Sequence, residues 1–321
     1  MQIRFALLLA LFAAGCPPAG CGSGSSGRTR AQATPGKTNT VTPPSPKPPE
    51  QVTSPTGPTS PTKPAARRFE RMIVIVLENT DAASALAQPY LKDLASRGAY
   101  LADYNALTHP SYPNYLAMVA GTTFGITDDA QRTFDAPSVG DLLVAKGFDW
   151  KTYAQAYPGN CFLGDNSGTY WRKHVPFLSL LPVQKDPAKC GRVVDAPRWN
   201  ADVSAGALPA FALYVPDINN DGHNTSVAYA STWLQGFLEP LLVDPVAMKG
   251  TLVVVTFDEA ATYNAPNRIY TAFVGPMVRT GAVSHLRYDH YSLLRTLEDN
   301  FKLGTLGKSD QYAKPITDVW R

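Results

Sequence analysis

The chain reads as an α/β protein, a three-layer αβα sandwich with a largely parallel central sheet, and three observations predict this. From Arg67 onward, short apolar runs alternate with amphipathic stretches, the pattern of strands joined by helical crossovers. Two of the runs, Met72 to Leu77 and Leu252 to Phe257, are apolar except for Thr256, as buried strands are. Each of these two ends abruptly in polar residues, Glu78-Asn79 and Asp258-Glu259.

Met72 to Leu77 is the first buried strand. Pro89 opens a helix that stops at Gly98, with proline inside the start and glycine past the end. Ala99 to Tyr104 is the second strand. The octet Thr108-His109-Pro110-Ser111-Tyr112-Pro113-Asn114-Tyr115 then turns a loop into a helix, expected from Pro113 to Ala120 and closed by Gly121. Ser138 to Lys146 is a short helix before Gly147, and Trp150 to Ala154 a strand. Ala210 to Val215 is a strand leading into the polar loop Pro216 to Asn224. Leu252 to Phe257 and Ile269 to Val274 are two more strands, and Tyr291 to Asn300 is a helix with Leu293, Leu294 and Leu297 inward. Ligands gather beyond the carboxyl ends of strands in open α/β sheets. Glu78, Asn79, Ser111, Asp217, Asp258 and Glu259 all fall there.

The first 66 residues differ from the rest, holding twelve of the 28 prolines and no aromatic residue between Phe12 and Phe69. Arg4, the apolar run Phe5 to Ala14 and the small residues before Cys16 form a secretory signal, shorter than the roughly 20 apolar residues of a membrane span. Ala13-Ala14-Gly15-Cys16 resembles a bacterial lipobox, with Cys21 as a rival lipidation site, so residues 1–21 are expected to export and anchor the chain. Residues 22–66, rich in Pro, Ser, Thr and Gly, are expected to be a disordered tether, and residues 67–321 the catalytic domain. The expected location is the cell envelope, on the periplasmic or cell-surface side, or outside the cell after release.

The first 66 residues carry six of the 29 Lys and Arg but one of the 26 Asp and Glu. That leaves 23 basic against 25 acidic side chains in the body, a balance with no nucleic-acid footprint. Cys161 and Cys190 are the only cysteines in the body, and in an exported protein such a pair reads as a disulfide.

A serine hydroxyl is a poor nucleophile unless a metal or a base activates it, and a helix N-terminus offers amides to phosphate oxygens. Glu78, Asn79, Asp258 and Glu259 supply oxygen donors, which suit one hard divalent ion such as Mg²⁺, Mn²⁺ or Ca²⁺, with Zn²⁺ also admissible. Of the five histidines, His223 lies in a loop after a strand and His290 follows Asp289 before a helix, so both are candidates for binding the phosphoryl group and protonating the leaving oxygen. Lys173 and Arg172 form a basic segment that reads either as a solvated basic face or as an attractor of an anionic substrate.

These segments, in this order, resemble a bacterial and fungal phosphoesterase family that groups acid phosphatases with phospholipases C on an alkaline-phosphatase-like fold. The resemblance rests on Glu78-Asn79, the His109 to Tyr115 segment, Tyr170 to Phe177, Asp221-Gly222-His223-Asn224, Thr256 to Glu259 and Asp289 to Thr296. It implies that Ser111 is the phosphorylated nucleophile and that Glu78, Asn79, Ser111, Asp258 and Glu259 hold the metal. It places His174, His223 and His290 around the phosphate; Lys173 and Asp217 are taken as further phosphate-side residues.

The implied activity is a metal-dependent phosphomonoesterase working through a phosphoserine, on a small phosphate ester or a phospholipid. Family members with phospholipase C action are longer, which favours the monoesterase. The alternatives are a phospholipase C or phosphodiesterase and a non-catalytic surface lipoprotein. A sulfatase is disfavoured because Ser111 is followed by Tyr112-Pro113-Asn114-Tyr115, with no arginine where formylglycine formation uses one, and a serine esterase because no Gly-x-Ser-x-Gly elbow surrounds it.

Overall fold

Branched and apolar side chains from Ile73 to Leu77 and from Leu252 to Val255 suit a pleated surface covered on both sides. In the computed structural model, which describes residues 67–263 and 266–321, they form the two central strands, Arg71–Leu77 and Thr251–Phe257. The signal segment 1–21, with Cys16 and Cys21, and the tether 22–66 lie outside the described residues. Eight strands make one sheet, in the order Ala282–Ser284, Ala99–Leu101, Thr271–Val274, Thr251–Phe257, Arg71–Leu77, Phe211–Val215, Trp150–Ala154, Val193–Asp195. Only Thr271–Val274 runs against its neighbours; every other pairing in this sheet is parallel.

Two groups of helices cover the sheet. Ser111–Ala120, Val139–Ala145 and His290–Phe301 pack together, and Pro89–Arg97 packs against Val227–Leu242. Met72, Val74, Phe211 and Leu213 share a small apolar gap with Met118, Val119, Leu293, Leu294 and Leu297, so these sheet residues face the first group. Ile73, Ile75 and Leu77, pointing the opposite way by the two-residue strand period, are equally buried. The α/β sandwich expected from the sequence is the observed architecture.

Several elements differ from expectation in ways that matter for the site. The helix expected from Pro113 starts at Ser111, because a proline in the first turn surrenders only an amide that has no intrahelical partner. The stretch Ala99 to Tyr104 splits: Ala99–Leu101 stays in the main sheet, while Tyr104–Asn105 pairs with Tyr288–Asp289 in a separate ribbon. Gly98 and Gly121 end their helices for different reasons. A Cβ on Gly98 would come within 1.9 Å of the Phe273 carbonyl oxygen, and Gly121 has φ +68° with the Asp310 carboxylate 2.6 Å from where a Cβ would sit.

The helix Val227–Leu242 was not expected, since Gly236 and Pro240 interrupt it. Its buried face, Ala230, Leu234, Leu238 and Leu241, keeps the helical spacing regardless. Pro240 falls in the last turn, where its ring meets the carbonyl of Gly236, a residue with no side chain to crowd it. Cys161 and Cys190 form the expected disulfide, with Cα atoms 5.7 Å apart.

Candidate active site

Parallel pairing with Leu77 beside Phe257 carries the two strand ends onward together, so Glu78-Asn79 and Asp258-Glu259 meet. Hydrogen bonds cross between them: Asp258 N donates to Leu77 O at 3.0 Å, Thr80 N to Glu259 O at 3.1 Å, and Asn79 N to Asp258 Oδ1 at 3.0 Å. Asn79 takes a left-handed conformation at φ 43°, which asparagine tolerates better than most residues.

Ser111 opens the ten-residue helix Ser111–Ala120 beside these strand ends. Its Oγ lies 3.1 Å from Glu78 Oε2, 3.3 Å from Asn79 Oδ1 and 3.1 Å from Glu259 Oε1. One helical turn on, Tyr115 donates from its hydroxyl to Glu78 Oε1 at 2.6 Å, so a single helix face grips both ends of that carboxylate. The loop is held by two asparagines. Asn114 accepts from the Leu107 and Thr108 amides and donates to Thr108 O and Pro110 O. Asn267 donates to Thr108 O at 2.9 Å and accepts from Ala260 N at 2.8 Å, tying the serine loop to the Asp258-Glu259 loop.

A second group adjoins the first through Glu78. Its Oε1 is 3.3 Å from His174 Nε2, and His174 Nδ1 is 3.6 Å from Asp221 Oδ2. Glu78, His174 and Asp221 each offer one ligand atom within 4.8 Å of the others, and all three are buried. His174 stacks on Tyr115 with ring centroids 5.0 Å apart. The Glu78 amide donates to Asp221 O at 2.9 Å, which draws the Asp221 loop onto the strand end.

The electrostatics of the cluster are unbalanced. Burial, and then repulsion between neighbouring carboxylates, pushes Glu78, Asp221 and Glu259 up to about 8 and Asp258 well above the usual carboxylate range. Burial, and then the charges of Lys173 and His223, hold His174 well below the usual imidazole range, so it stays neutral and offers no compensating charge. Asp221 Oδ2, Asp258 Oδ2 and His174 Nε2 are buried and have no hydrogen-bond partner among the described residues. A buried cluster with this many stranded donor atoms fits a divalent cation, whose charge and coordination satisfy both deficits at once.

The remaining expected site residues fall in different places. Lys173, its side chain 8% exposed, pairs with Asp129 at 2.5 Å, and Asp129 also accepts from the Tyr112 amide at 3.0 Å. Asp129 thereby ties Lys173 to the start of the helix that Ser111 opens. The Lys173 ammonium is held above its ordinary range: burial opposes this, but the Glu78 and Asp129 carboxylates prevail. His223 is exposed, with its amide on Asp221 Oδ1 at 2.8 Å and its Nδ1 2.9 Å from Asn224 Oδ1, leaving Nε2 toward solvent.

Two placements depart from expectation. His290 is completely buried; its Nε2 donates to the Asp258 carbonyl at 2.7 Å and its Nδ1 lies 3.4 Å from Tyr104 Oη. With both nitrogens used inside the protein, it is held beneath the Asp258-Glu259 loop. Asp217 is likewise withdrawn: its carboxylate accepts from the Asn219 and Asn220 amides and from the Thr169 hydroxyl, closing its own loop. Its neighbour in the loop, Asp221, reaches the cluster instead. Asp221, Tyr115, Asn114 and Asn267 were not singled out in the sequence. Tyr115 had a usable signal, the four-residue spacing from Ser111, whereas nothing local marked Asn267.

Among solved structures, the chain is similar in fold to a protein of the alkaline phosphatase superfamily from Vibrio parahaemolyticus, with a TM-score of 0.52 at 13% identity over 79% of this chain and 72% of that one. The lipoteichoic acid synthase LtaP from Listeria monocytogenes is similar to the same degree, TM-score 0.52 at 12% identity over 79% and 77% of the two chains. Within that fold class, the chain belongs to the Phosphoesterase family, which it matches over residues 84–304. It is 37% identical to a probable acid phosphatase of Kluyveromyces lactis over 78% of this chain and 62% of that one. It is 33% identical to a phosphate-repressible acid phosphatase of Penicillium chrysogenum over 75% and 61%. It is also 32% identical to a phosphatidylinositol-3-phosphatase of Mycobacterium tuberculosis, over 78% of this chain and 83% of that one. The chain spans about three fifths of the length of the two fungal relatives.

Proposed function

We propose that the protein is a metal-dependent phosphomonoesterase that works through a phosphoserine at Ser111. The observation that carries this reading is the Ser111 hydroxyl at a helix N-terminus, 3.1–3.3 Å from oxygens of Glu78, Asn79 and Glu259. One divalent ion would be held by Glu78, Asn79, Ser111, Asp258 and Glu259, with the Glu78–His174–Asp221 group as the adjoining cradle. Such an ion favours the ionised serine and offsets charge on the phosphoryl oxygens.

The chain's own groups perform the rest. Ser111 Oγ attacks phosphorus while the bond to the leaving oxygen breaks on the opposite side. Lys173 and the helix N-terminus bind phosphoryl oxygens. His223, with a ring nitrogen open to solvent, gives its proton to the departing oxygen and then takes one from the water that cleaves the phosphoserine, returning Ser111 to its free form. His174, neutral and buried, orients Glu78 and Asp221.

A small phosphate monoester is the proposed substrate, in line with the names of the fungal relatives. A phosphorylated lipid headgroup is a second reading, favoured by similarity to the phosphatidylinositol-3-phosphatase across 83% of that chain. Export, with a lipid anchor at Cys16 or Cys21, belongs to the same proposal; the Cys161–Cys190 disulfide supports an oxidising compartment.

The test is hydrolysis of p-nitrophenyl phosphate and of p-nitrophenyl phosphorylcholine by the metal-loaded full chain, by Ser111→Ala and after chelation. Monoester turnover that disappears in both controls supports the reading. Turnover of the diester alone would replace it with a phospholipase C, and no turnover of either by folded, metal-loaded protein would favour a binding lipoprotein.

A further inference from the structure

One aromatic ring at the rim of the site has no part in the chemistry proposed so far. Tyr263 is 73% exposed, yet one face of its ring is held: it stacks on His109 with centroids 4.1 Å apart and planes 18° from parallel. His109 is two residues before the nucleophile, and its Nδ1 abuts Glu259 Oε2. The other oxygen of Glu259 is the one 3.1 Å from Ser111 Oγ. Three contacts therefore link an exposed ring to the nucleophile and fix its place at the rim. The Tyr263 hydroxyl is raised from its ordinary range by burial, then by the charges of Glu259 and Asp129.

An exposed tyrosine that only decorated a loop would not need a partner so close to the reacting group. The held face gives the ring a defined orientation, and the open face is left for something else. In an in-line displacement the leaving group sits opposite Ser111 Oγ and so points away from the cluster floor. Planar groups stack on such a face at ring separations of about 4.5–7 Å. Lys173 stands at the same site and would repel a cationic headgroup, so a neutral planar group is the better match.

Given a phosphoryl group attacked at Ser111, as proposed above, we propose that the open face of Tyr263, backed by His109, is a stacking platform that selects phosphate monoesters with planar, aromatic leaving groups. Tyr263 is then a specificity residue, and His109 a positioning residue that holds its ring.

The experiment compares phenyl phosphate with glycerol 3-phosphate, and binding of phenylphosphonate with methylphosphonate, using the metal-loaded full chain as wild type, Tyr263→Ala and Tyr263→Phe. The expected result is a fall of about 3- to 10-fold in the phenyl-to-glycerol ratio of kcat/KM in Tyr263→Ala, expressed mainly in KM, with the ratio kept in Tyr263→Phe. The phenylphosphonate preference should fall in parallel. A ratio unchanged in Tyr263→Ala overturns the platform, as does a ratio lost equally in Tyr263→Phe. A loss confined to phosphocholine, run alongside, would make the ring a cation site and overturn it too. If the wild type turns over no ester, the phosphatase reading fails, and the phosphonate pair still decides the platform.

Discussion

Two buried acidic sites in this molecule have opposite fates. Asp202, 2% exposed, accepts hydrogen bonds from Lys151 at 2.5 Å, Tyr153 at 2.7 Å and Arg198 at 2.9 Å. Burial would raise its pKa, yet these partners, Lys151 first among them, hold it below the usual carboxylate range. Glu78, Asp221, Asp258 and Glu259 are buried just as deeply, but they face one another, and Lys173 is the cation placed among them. The chain completes the first site itself and leaves the second short of positive charge. A buried carboxylate with its partners supplied is structure; a cluster without them is a place for something that arrives from solution.

The largest effect that can break this contrast is on turnover. Asp258→Asn should lower metal-dependent phosphatase activity on the order of 10³-fold or more, since a metal contributes several kcal/mol of transition-state stabilisation. Asp202→Asn should stay within about threefold of wild type in the same assay, because it lies outside the cluster. Equal losses in the two variants would erase the distinction.

Stability should run the other way. Asp202→Ala strands the Lys151 ammonium, which is 17% exposed, and should cost about 3 kcal/mol in urea denaturation. In metal-free protein, Asp258→Asn should instead stabilise by on the order of 1 kcal/mol, because it removes repulsion in a buried cluster. A metal-free Asp258→Asn that is strongly destabilised would show the cluster to be self-sufficient.

His290→Ala sharpens the account of the metal side. Losing the hydrogen bond to the Asp258 carbonyl should weaken metal binding about 10- to 100-fold by calorimetry, the usual scale for groups that orient ligands. If metal affinity is unchanged while turnover falls, His290 touches the substrate after all.

The smallest effect concerns a third kind of buried acid. Glu298 is fully buried and is pushed up to about 9, first by burial and then by the Asp310 carboxylate. A carboxyl raised in the folded state binds more protons folded than unfolded. Its contribution is present below the unfolded value of about 4.3 and is lost as pH rises toward 9. Glu298→Gln should therefore flatten the decline of Tm between pH 5 and pH 9, roughly, and a slope unchanged from wild type would contradict it. Asp202, depressed in the folded state, has the opposite sign: its stabilisation is present above the unfolded carboxylate range and is lost on acidification.

Much of the site was legible because its parts end recognisable local elements. Trp150 to Ala154 was read with its observed bounds, and the central strands within a residue, since continuous apolar runs and the polar residues that stop them are local features. The serine loop was legible for the same reason, although its helix begins two residues earlier than expected. Asp217 and Asp221 show where this reading stops. Both are acids in one polar loop after a strand, and nothing in their spacing says which one turns inward. The turn that Asp217 closes on Asn219 and Asn220, and the amide of Glu78 that donates to the Asp221 carbonyl, decide it.

By itself the sequence determined the strand-and-helix alternation, the polar residues that close each central strand, and the serine at a loop-to-helix turn. These follow from periodicity and backbone preference over a few residues, which neighbours in the chain are enough to set. The tertiary structure alone decided that Glu78 would lie beside Asp258, that His290 would be sealed beneath the Asp258 loop, and that Tyr263 would stack on His109. The first and third of these join residues more than a hundred positions apart, and the second joins residues 32 apart. Their meeting depends on sheet register and on which buried polar atoms find partners, and both are properties of the assembled core.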